Sequence, residues 1–375
     1  MKKRFLYAAE VFLPGEKASS IHVMRMCESL VREGYEVTLL ALRSREFKSQ
    51  QAVFDHYGTR ESFELKVVNA PGKGRLASFY LGMVALVRIL RTRPALTYTR
   101  SVVLASMMSL VAKNVGYEAH TFVLHSAHKW HGSLFRRLIR KPSFRGLIVI
   151  SHALKKMFVS EGVPEKDVFV AHDGADVVDT EEKLELKGGF SCNAGYFGST
   201  YKGKGVEVIV KIARRLPGVG FHVFGGTAES FENEGSVPSN LFFYGFVSPA
   251  KVHLYRNACE ILLAPYQANV FVSGKQAFSI SSFMSPLKIF EYMSAQKPMI
   301  VSDLPVLREI LSEHTALIVP PADVEKWSEG LEMLCQNPEK REQLARNAYK
   351  AFLENHTWQQ RAASIKGWLE QRMET

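Results

Sequence analysis

No stretch of this 375-residue sequence is apolar for long enough to cross a membrane as a helix. The longest apolar run, residues 76–87, meets Arg88 well short of the ~20 residues that a span requires. The amino terminus carries no leader pattern: Lys2, Lys3 and Arg4 precede only residues 5–9 before Glu10, too few for an apolar leader core. The expectation is a cytoplasmic protein, or one resting on the inner face of the cytoplasmic membrane. Cysteine is scarce. Cys27, Cys192, Cys259 and Cys335 form no Cys-x-x-Cys pair and no cluster with histidine, so neither a zinc site nor a disulfide framework is expected. Each is read as a small buried apolar residue. The sequence also lacks any Asp-x-Asp pair, a Walker loop and a GxGxxG fingerprint, which removes the commonest signatures of metal–phosphate, P-loop and dinucleotide binding.

What is present is a folding composition, 46% hydrophobic and 23% charged, at a length of two domains. Charge is unevenly spread. Residues 1–175 hold 27 Lys and Arg against 14 Asp and Glu, a net of +13, which leaves 21 against 23, a net of −2, for the remainder. A basic first half points to an anionic partner: nucleic acid, an acidic membrane or a phosphate-bearing substrate.

Short β-branched or aromatic runs alternate with helical periodicity along the chain. Strands are expected at 5–8, 36–42, 96–99, 116–120, 147–151 and 168–171, with a helix over 20–32. The polar segment 176–189 reads as a linker. A second series follows, with strands at 194–197, 221–224, 241–244, 261–264, 299–301 and 316–319 and helices starting near Lys204, Pro249, Pro286, Pro305 and Asp323. Three polar amphipathic helices close the chain, with Trp358 and Trp368 as anchors. Such alternation predicts an α/β protein with two Rossmann-like domains facing a central cleft: 1–175, 176–355, and a terminal helix over 356–375 packing back toward the first domain.

Four segments carry chemistry. In Ser285-Pro286-Leu287-Lys288-Ile289-Phe290-Glu291, Ser285 is placed to cap a helix that Pro286 begins, so free N–H groups, the helix dipole and Lys288 converge on one anion site. Glu291, three residues on, shares that face and suits ribose hydroxyls. The alternative is an ordinary capped helix with a Lys288–Glu291 salt bridge. The second segment, Gly195-Tyr196-Phe197-Gly198-Ser199-Thr200-Tyr201-Lys202-Gly203-Lys204-Gly205, is read as following a strand and preceding a helix and offers glycines, hydroxyls and amines to a phosphate, unless it is a plain Gly/Lys loop. Third, His120 stands at a strand's carboxyl end near His125, His128 and His131. No cysteine or clustered carboxylate supports a metal there, and His120 alone is the candidate for contact with a reacting group. Fourth, residues 130–145 combine Arg136, Arg137, Arg140 and Lys141 with apolar side chains, which suits a membrane surface or a solvated helix face. No nucleic-acid-binding signature accompanies the run, so nucleic acid is not expected as a partner.

These segments, in this order, resemble glycosyltransferase family 4, GT-B-fold, retaining enzymes that use nucleotide sugars and are common in bacterial polysaccharide synthesis. "MSPLKIFEYMSAQKPMIVSDLPVLREIL" looks like the family's donor-site block, and "AGYFGSTYKGKGVEVIV" like its phosphate loop. "VFVAHDGADV" resembles the end of its first domain, and "YEAH" its histidine-bearing strand end. The resemblance implies that Glu291 holds the donor ribose and Lys204 stabilises the leaving diphosphate, with the N–H groups of Ser285, Pro286's neighbour Leu287 and Lys288 assisting. It places Gly198, Ser199, Thr200 and Lys202 at the phosphates, Phe246 and Val247 against the base, Gly15 at the phosphates from the other domain, and His120 beside the sugar and acceptor. The sequence departs from the pattern at three places: Phe283 replaces a glutamate eight residues before Glu291, Ser199 replaces a loop arginine, and Ala18 and Ser19 stand where paired glycines are usual. Residues 267–282 are expected to help set specificity.

The implied activity is transfer of a sugar from a nucleoside-diphosphate donor to a hydroxyl of a glycan, lipid-linked in the fullest reading, without cofactor or metal and on an anionic membrane surface. A nucleotide-sugar epimerase of the same fold, or a sugar-nucleotide-binding module weakened by the changes at Phe283 and Ser199, are the alternatives.

Overall fold

In a computed structural model, residues 2–59, 63–72, 74–125, 129–178, 180–228, 231, 236–271 and 279–374 are described. His128 and residues 272–278 of the expected specificity segment lie outside them. The chain forms two compact units: Met1–Asp173 together with Trp358–Thr375, and Gly174–Thr357.

The first unit runs β1 (Arg4–Leu13), α1 (Ala18–Arg32), β2 (Glu36–Arg43), α2 (Gln50–Tyr57), β3 (Glu64–Val68), α3 (Arg75–Thr92), β4 (Leu96–Thr99), α4 (Val102–Met108), β5 (Val115–Ala119), α5 (Lys129–Leu138), β6 (Phe144–Val149), α6 (His152–Ser160) and β7 (Val168–Val170). Its seven strands are all parallel, in the order β3-β2-β1-β4-β5-β6-β7. Every residue of β4 and β5 is buried, as strands covered by helices on both faces must be. Ser49, Ser101 and Ser151 each accept the N–H three residues on and so fix the starts of α2, α4 and α6.

The second unit runs β8 (Asn193–Phe197), α7 (Val206–Arg215), β9 (Gly220–Phe224), β10 (Leu241–Phe243), α8 (Val252–Ala258), β11 (Ile261–Ala264), α9 (Leu287–Ser294), β12 (Met299–Ser302), β13 (Leu317–Val319), α10 (Val324–Gln336) and α11 (Pro338–Asn355). The sheet order is β10-β9-β8-β11-β12-β13, again parallel throughout. The last helix, α12 (Trp358–Glu374), returns to the first unit, where Trp358 is buried and Trp368 stacks on Phe169 at 5.2 Å. In each sheet the order in which the chain adds parallel strands reverses once, between β1 and β4 and between β8 and β11. The crevices outside the carboxyl ends of those strands are where doubly wound sheets bind ligands.

The structure corrects several expectations. Cys192 and Cys335 form a disulfide, with Cα atoms 5.9 Å apart, because the start of β8 and the end of α10 meet in space although 143 residues separate them. Cys27 and Cys259 are free and buried. No helix starts near Pro305: Val306, Leu307 and Leu311 are buried at helical spacing, but the segment makes separate turns in which Arg308 pairs with Asp303 and Glu313. The segment 176–189 is not a free linker, since Leu184 N–H donates to Leu254 and the Asn257 amide holds the carbonyls of Thr180 and Glu182. β3 is an additional strand that the sequence reading did not contain.

Candidate functional site

In the second unit the loop after β8 is shaped by three glycines of positive φ. A Cβ on Gly203 would lie 1.8 Å from the Asn269 carbonyl oxygen, and one on Gly205 would lie 1.7 Å from that of Pro265, so only glycine lets this loop close on the segment after β11. Gly198 admits Lys288: a Cβ there would stand 3.2 Å from the Lys288 amine. Two aromatic rings complete the enclosure. Lys288 Nζ lies 3.6 Å from the centroid of the Tyr196 ring and 5.0 Å from that of Tyr266, and Lys204 Nζ lies 5.2 Å from the centroid of the same Tyr266 ring. Tyr292 holds the frame by donating to the Leu263 carbonyl and accepting the Phe197 N–H.

Lys288 is 8% exposed, and its amine has no hydrogen-bond partner among the described residues. Burial, then repulsion by Lys204, pushes its pKa well below the ordinary lysine value, against the pull of Glu291. Burial alone brings Lys204 down to about 8. Two desolvated amines beside a helix start are poised for a multiply charged anion, since only such a ligand restores what they lost on leaving water.

The start of α9 differs by one residue from the expectation. Pro286, not Ser285, is the N-cap and contributes no side-chain bond to the helix start, which Leu287 opens, while Ser285 is buried just before it. Glu291 does not pair with Lys288. Its Oε2 lies 3.1 Å from Nη1 of the buried Arg256 on α8, which rules out the simple Lys288–Glu291 bridge and fixes the carboxylate while leaving it partly exposed. Ser199 accepts the Tyr196 hydroxyl at its carbonyl, Thr200 packs on Gly226 after β9, and the Lys202 carbonyl accepts the Phe271 N–H. Phe246 is 51% exposed and Val247 rests on the core, both following Gly245, whose carbonyl accepts the Gly225 N–H. The loops after β8, β9 and β11 and the start of α9 thus meet. Arg256, Tyr196 and Tyr266 were not singled out from sequence.

The first unit holds a buried polar cluster at the end of β5. Glu118 Oε1 meets His120 Nε2 at 2.5 Å, Arg361 Nη2 at 2.7 Å and His22 Nε2 at 3.1 Å, and its Oε2 accepts the Tyr98 hydroxyl at 2.6 Å. His22 Nδ1 lies 2.9 Å from Asp173 Oδ1, and its ring stands edge-on to His120 and Trp358. Burial and then Arg100 lower the His120 pKa to about 4 despite Glu118, so the imidazole is neutral near pH 7. Burial favours the protonated carboxyls, but Arg361 and His22 hold Glu118 well below the usual range, and His22 holds Asp173 at about 2. His22, Glu118, His120 and Asp173 offer ligand atoms within 4.8 Å of one another. Arg361 already occupies the Glu118 oxygen that a metal would need, and a guanidinium there supplies the balancing cation; the cluster fits a charge-neutralised network rather than a divalent ion. Sequence reasoning found only His120, for α12 brings Arg361 in from far along the chain.

Gly15 follows β1 as expected, and a Cβ there would lie 2.6 Å from the Phe12 carbonyl oxygen. Its N–H, however, donates to the Tyr57 hydroxyl at 2.7 Å, which binds the turn to α2 and withdraws that amide from phosphate contact.

A sequence model described as Glycosyltransferase Family 4 matches residues 19–179, and one described as Glycosyl transferase-like matches residues 205–367. The chain is 23% identical over 235 residues to an alpha-galactosylglucosyldiacylglycerol synthase of Streptococcus pneumoniae, a match covering 57% of this chain and 58% of that relative's length. Its fold is similar to that of a sucrose-phosphate synthase from Thermosynechococcus elongatus, at TM-score 0.73, 13% identity and coverage of 98% and 99% of the two chains. It is similar also to Anabaena HepE, crystallised with UDP and glucose, at TM-score 0.71, 14% identity and coverage of 98% and 99%.

Proposed function

We propose that this chain, matched by glycosyltransferase sequence models over residues 19–179 and 205–367, moves a sugar from a nucleoside-diphosphate donor to a hydroxyl of a lipid-linked glycan, retaining the anomeric configuration. One observation carries the donor half of this reading: the enclosed Lys288 amine, without a hydrogen-bond partner among the described residues, beside Lys204 at the start of α9. In this reading the C1–O bond to the diphosphate breaks while the acceptor oxygen bonds to C1 on the same face, and the acceptor proton passes to the departing diphosphate. Lys204, Lys288 and the N–H groups of Leu287 and Lys288 stabilise the charge that develops there, Glu291 holds the ribose in the orientation set by Arg256, and neutral His120 contacts the sugar. The name of the pneumococcal relative, a glycolipid synthase, supports an acceptor attached to lipid. Among the described residues no helix is long and apolar enough to cross a membrane.

The test is donor turnover with and without a membrane extract as acceptor source. Release of nucleoside diphosphate that requires the extract, with Lys204→Ala lowering kcat by roughly 10²–10³-fold, is the expected result. Donor isomerisation without acceptor would identify an epimerase, and loss of turnover on chelation with EDTA would contradict a metal-free mechanism.

A further inference from the structure

The basic segment 130–145 leaves a question of where an apolar contact with lipid could lie. Phe135 and Leu138 of α5 are fully buried, so the apolar face of that helix belongs to the core of the first unit and is not available to anything else. Among the described residues, α3 carries an unpartnered apolar face. Leu76, Phe79, Tyr80, Met83, Val87 and Leu90 are all exposed, between 41% and 68%. At 3.6 residues per turn they fall within an arc of about 100°, and Leu76 to Leu90 extends about 21 Å along the axis. The opposite arc, with Ala77, Leu81, Gly82, Ala85 and Ile89, is buried, and Gly82 lets Met107 of α4 approach so closely that a Cβ would meet its sulfur at 2.4 Å. A single exposed leucine needs no explanation, but six large apolar side chains aligned on one helix do.

We propose that this face of α3 lies in the headgroup region of an anionic membrane, with the axis of the helix parallel to the surface. Charge selects this occupant over a second copy of the chain. No Asp or Glu occurs in α3, whereas Arg75 and Arg91 flank the stripe and Arg93 follows it; Arg88 lies toward the buried arc, where it pairs with Glu64. Pairing two copies through the same face would set arginines against arginines, while an anionic headgroup layer complements them. The basic α5 adjoins the same end: the Arg75 guanidinium lies 5.7 Å from the ring of Trp130, itself 39% exposed, and Arg136, Arg137 and Arg140 are exposed beyond it. An 18-residue helix carrying three arginines is suited to lie on a bilayer rather than cross it. The inference rests on the lipid-linked acceptor reading for its purpose, since a membrane-resident acceptor must be met at the surface.

The experiment is sedimentation of the purified full chain with vesicles of phosphatidylcholine alone or with one quarter phosphatidylglycerol, with no donor or acceptor present. The parent protein should partition onto the anionic vesicles, and the Phe79→Ser/Met83→Ser/Leu90→Ser variant should lose at least about tenfold in partition, because each replacement removes apolar surface from the lipid. These positions are exposed, so thermal melting should match the parent; a second variant, Phe79→Trp, should give quenching by lipids brominated near the headgroup end of the chains. Partition unchanged in the triple variant, absence of quenching, or a parent dimer in sedimentation velocity that the triple variant abolishes would each overturn the proposal. Vesicle binding by a protein that fails the donor-turnover test with membrane extract would refute the transferase reading and leave this one standing.

Discussion

Binding of the donor diphosphate should take up protons, and the alkaline limb of its affinity belongs to Lys204. That amine sits at about 8 in the free protein because burial disfavours its charge. If contact with a diphosphate restores the ordinary lysine value of about 10.4, the difference corresponds to about 3 kcal/mol between charged and neutral forms. The bound state then holds more protons than the free state from about pH 8 to about pH 10.4. Affinity should be level near pH 7, fall toward tenfold per unit above pH 8, and drop roughly 50- to 100-fold between pH 7 and pH 10. The diphosphate's own ionisation, with a second pKa near ~6, is complete before this range. Lys288, also held well below the ordinary lysine value by burial and then by Lys204, adds proton uptake in the same direction. Titration calorimetry with a nucleoside diphosphate at pH 7, 8, 9 and 10, in buffers of different ionisation enthalpy, reads both quantities. Lys204→Arg should make the limb shallower, because a guanidinium keeps its charge throughout and only the share of Lys288 remains. A parent protein whose affinity is flat to pH 10, or an arginine variant with an unchanged limb, would refute the argument.

Glu291→Ala should raise the donor KM by about 10- to 100-fold with a smaller effect on kcat, the range for a charge-assisted hydrogen bond made in ground and transition states alike; equal losses in kcat would place the carboxylate in the chemical step. Arg361→Met should cost about 3–5 kcal/mol in urea unfolding at pH 7, since it leaves Glu118 and Asp173 buried without their cation. That deficit should close as pH falls through the lowered carboxylate pKa values, because the pairing acts only while the acids are ionised. His120, at about 4 when folded, should make the parent about 2–2.5 kcal/mol less stable at pH 4.5 than at pH 7, because the unfolded chain protonates first; His120→Gln should remove that share of the acid sensitivity in the same unfolding assay.

The elements were legible where a buried strand writes itself as a continuous apolar run. β4 and β11 fall where the sequence places them, and most others agree within a few residues. β3 was missed because an edge strand with alternating exposure, Glu64-Leu65-Lys66, resembles loop as much as sheet. The donor-side loop was legible through its glycines, whose need for positive φ leaves a mark in composition. What surrounds the lysines was not, because Tyr196, Tyr266 and Arg256 are separated in sequence and joined only by the reversal of strand order between β8 and β11. The same holds for Glu118 with Arg361 and for Cys192 with Cys335: pairs 243 and 143 residues apart carry no local pattern.

The return of α12 to the first unit has a consequence for the order in which the protein can be completed. Glu118 and Asp173 leave the ribosome early, but their guanidinium follows Glu118 by 243 residues. At about 5–20 residues per second, the nascent chain carries these two acids without their counter-charge for roughly 10–50 seconds. All of Gly174–Thr357 is synthesised within that interval, and its sheet draws no strand from outside it. The unit encoded second can therefore be finished first, while the unit encoded first waits for the arrival of Arg361 before its acidic centre is neutralised.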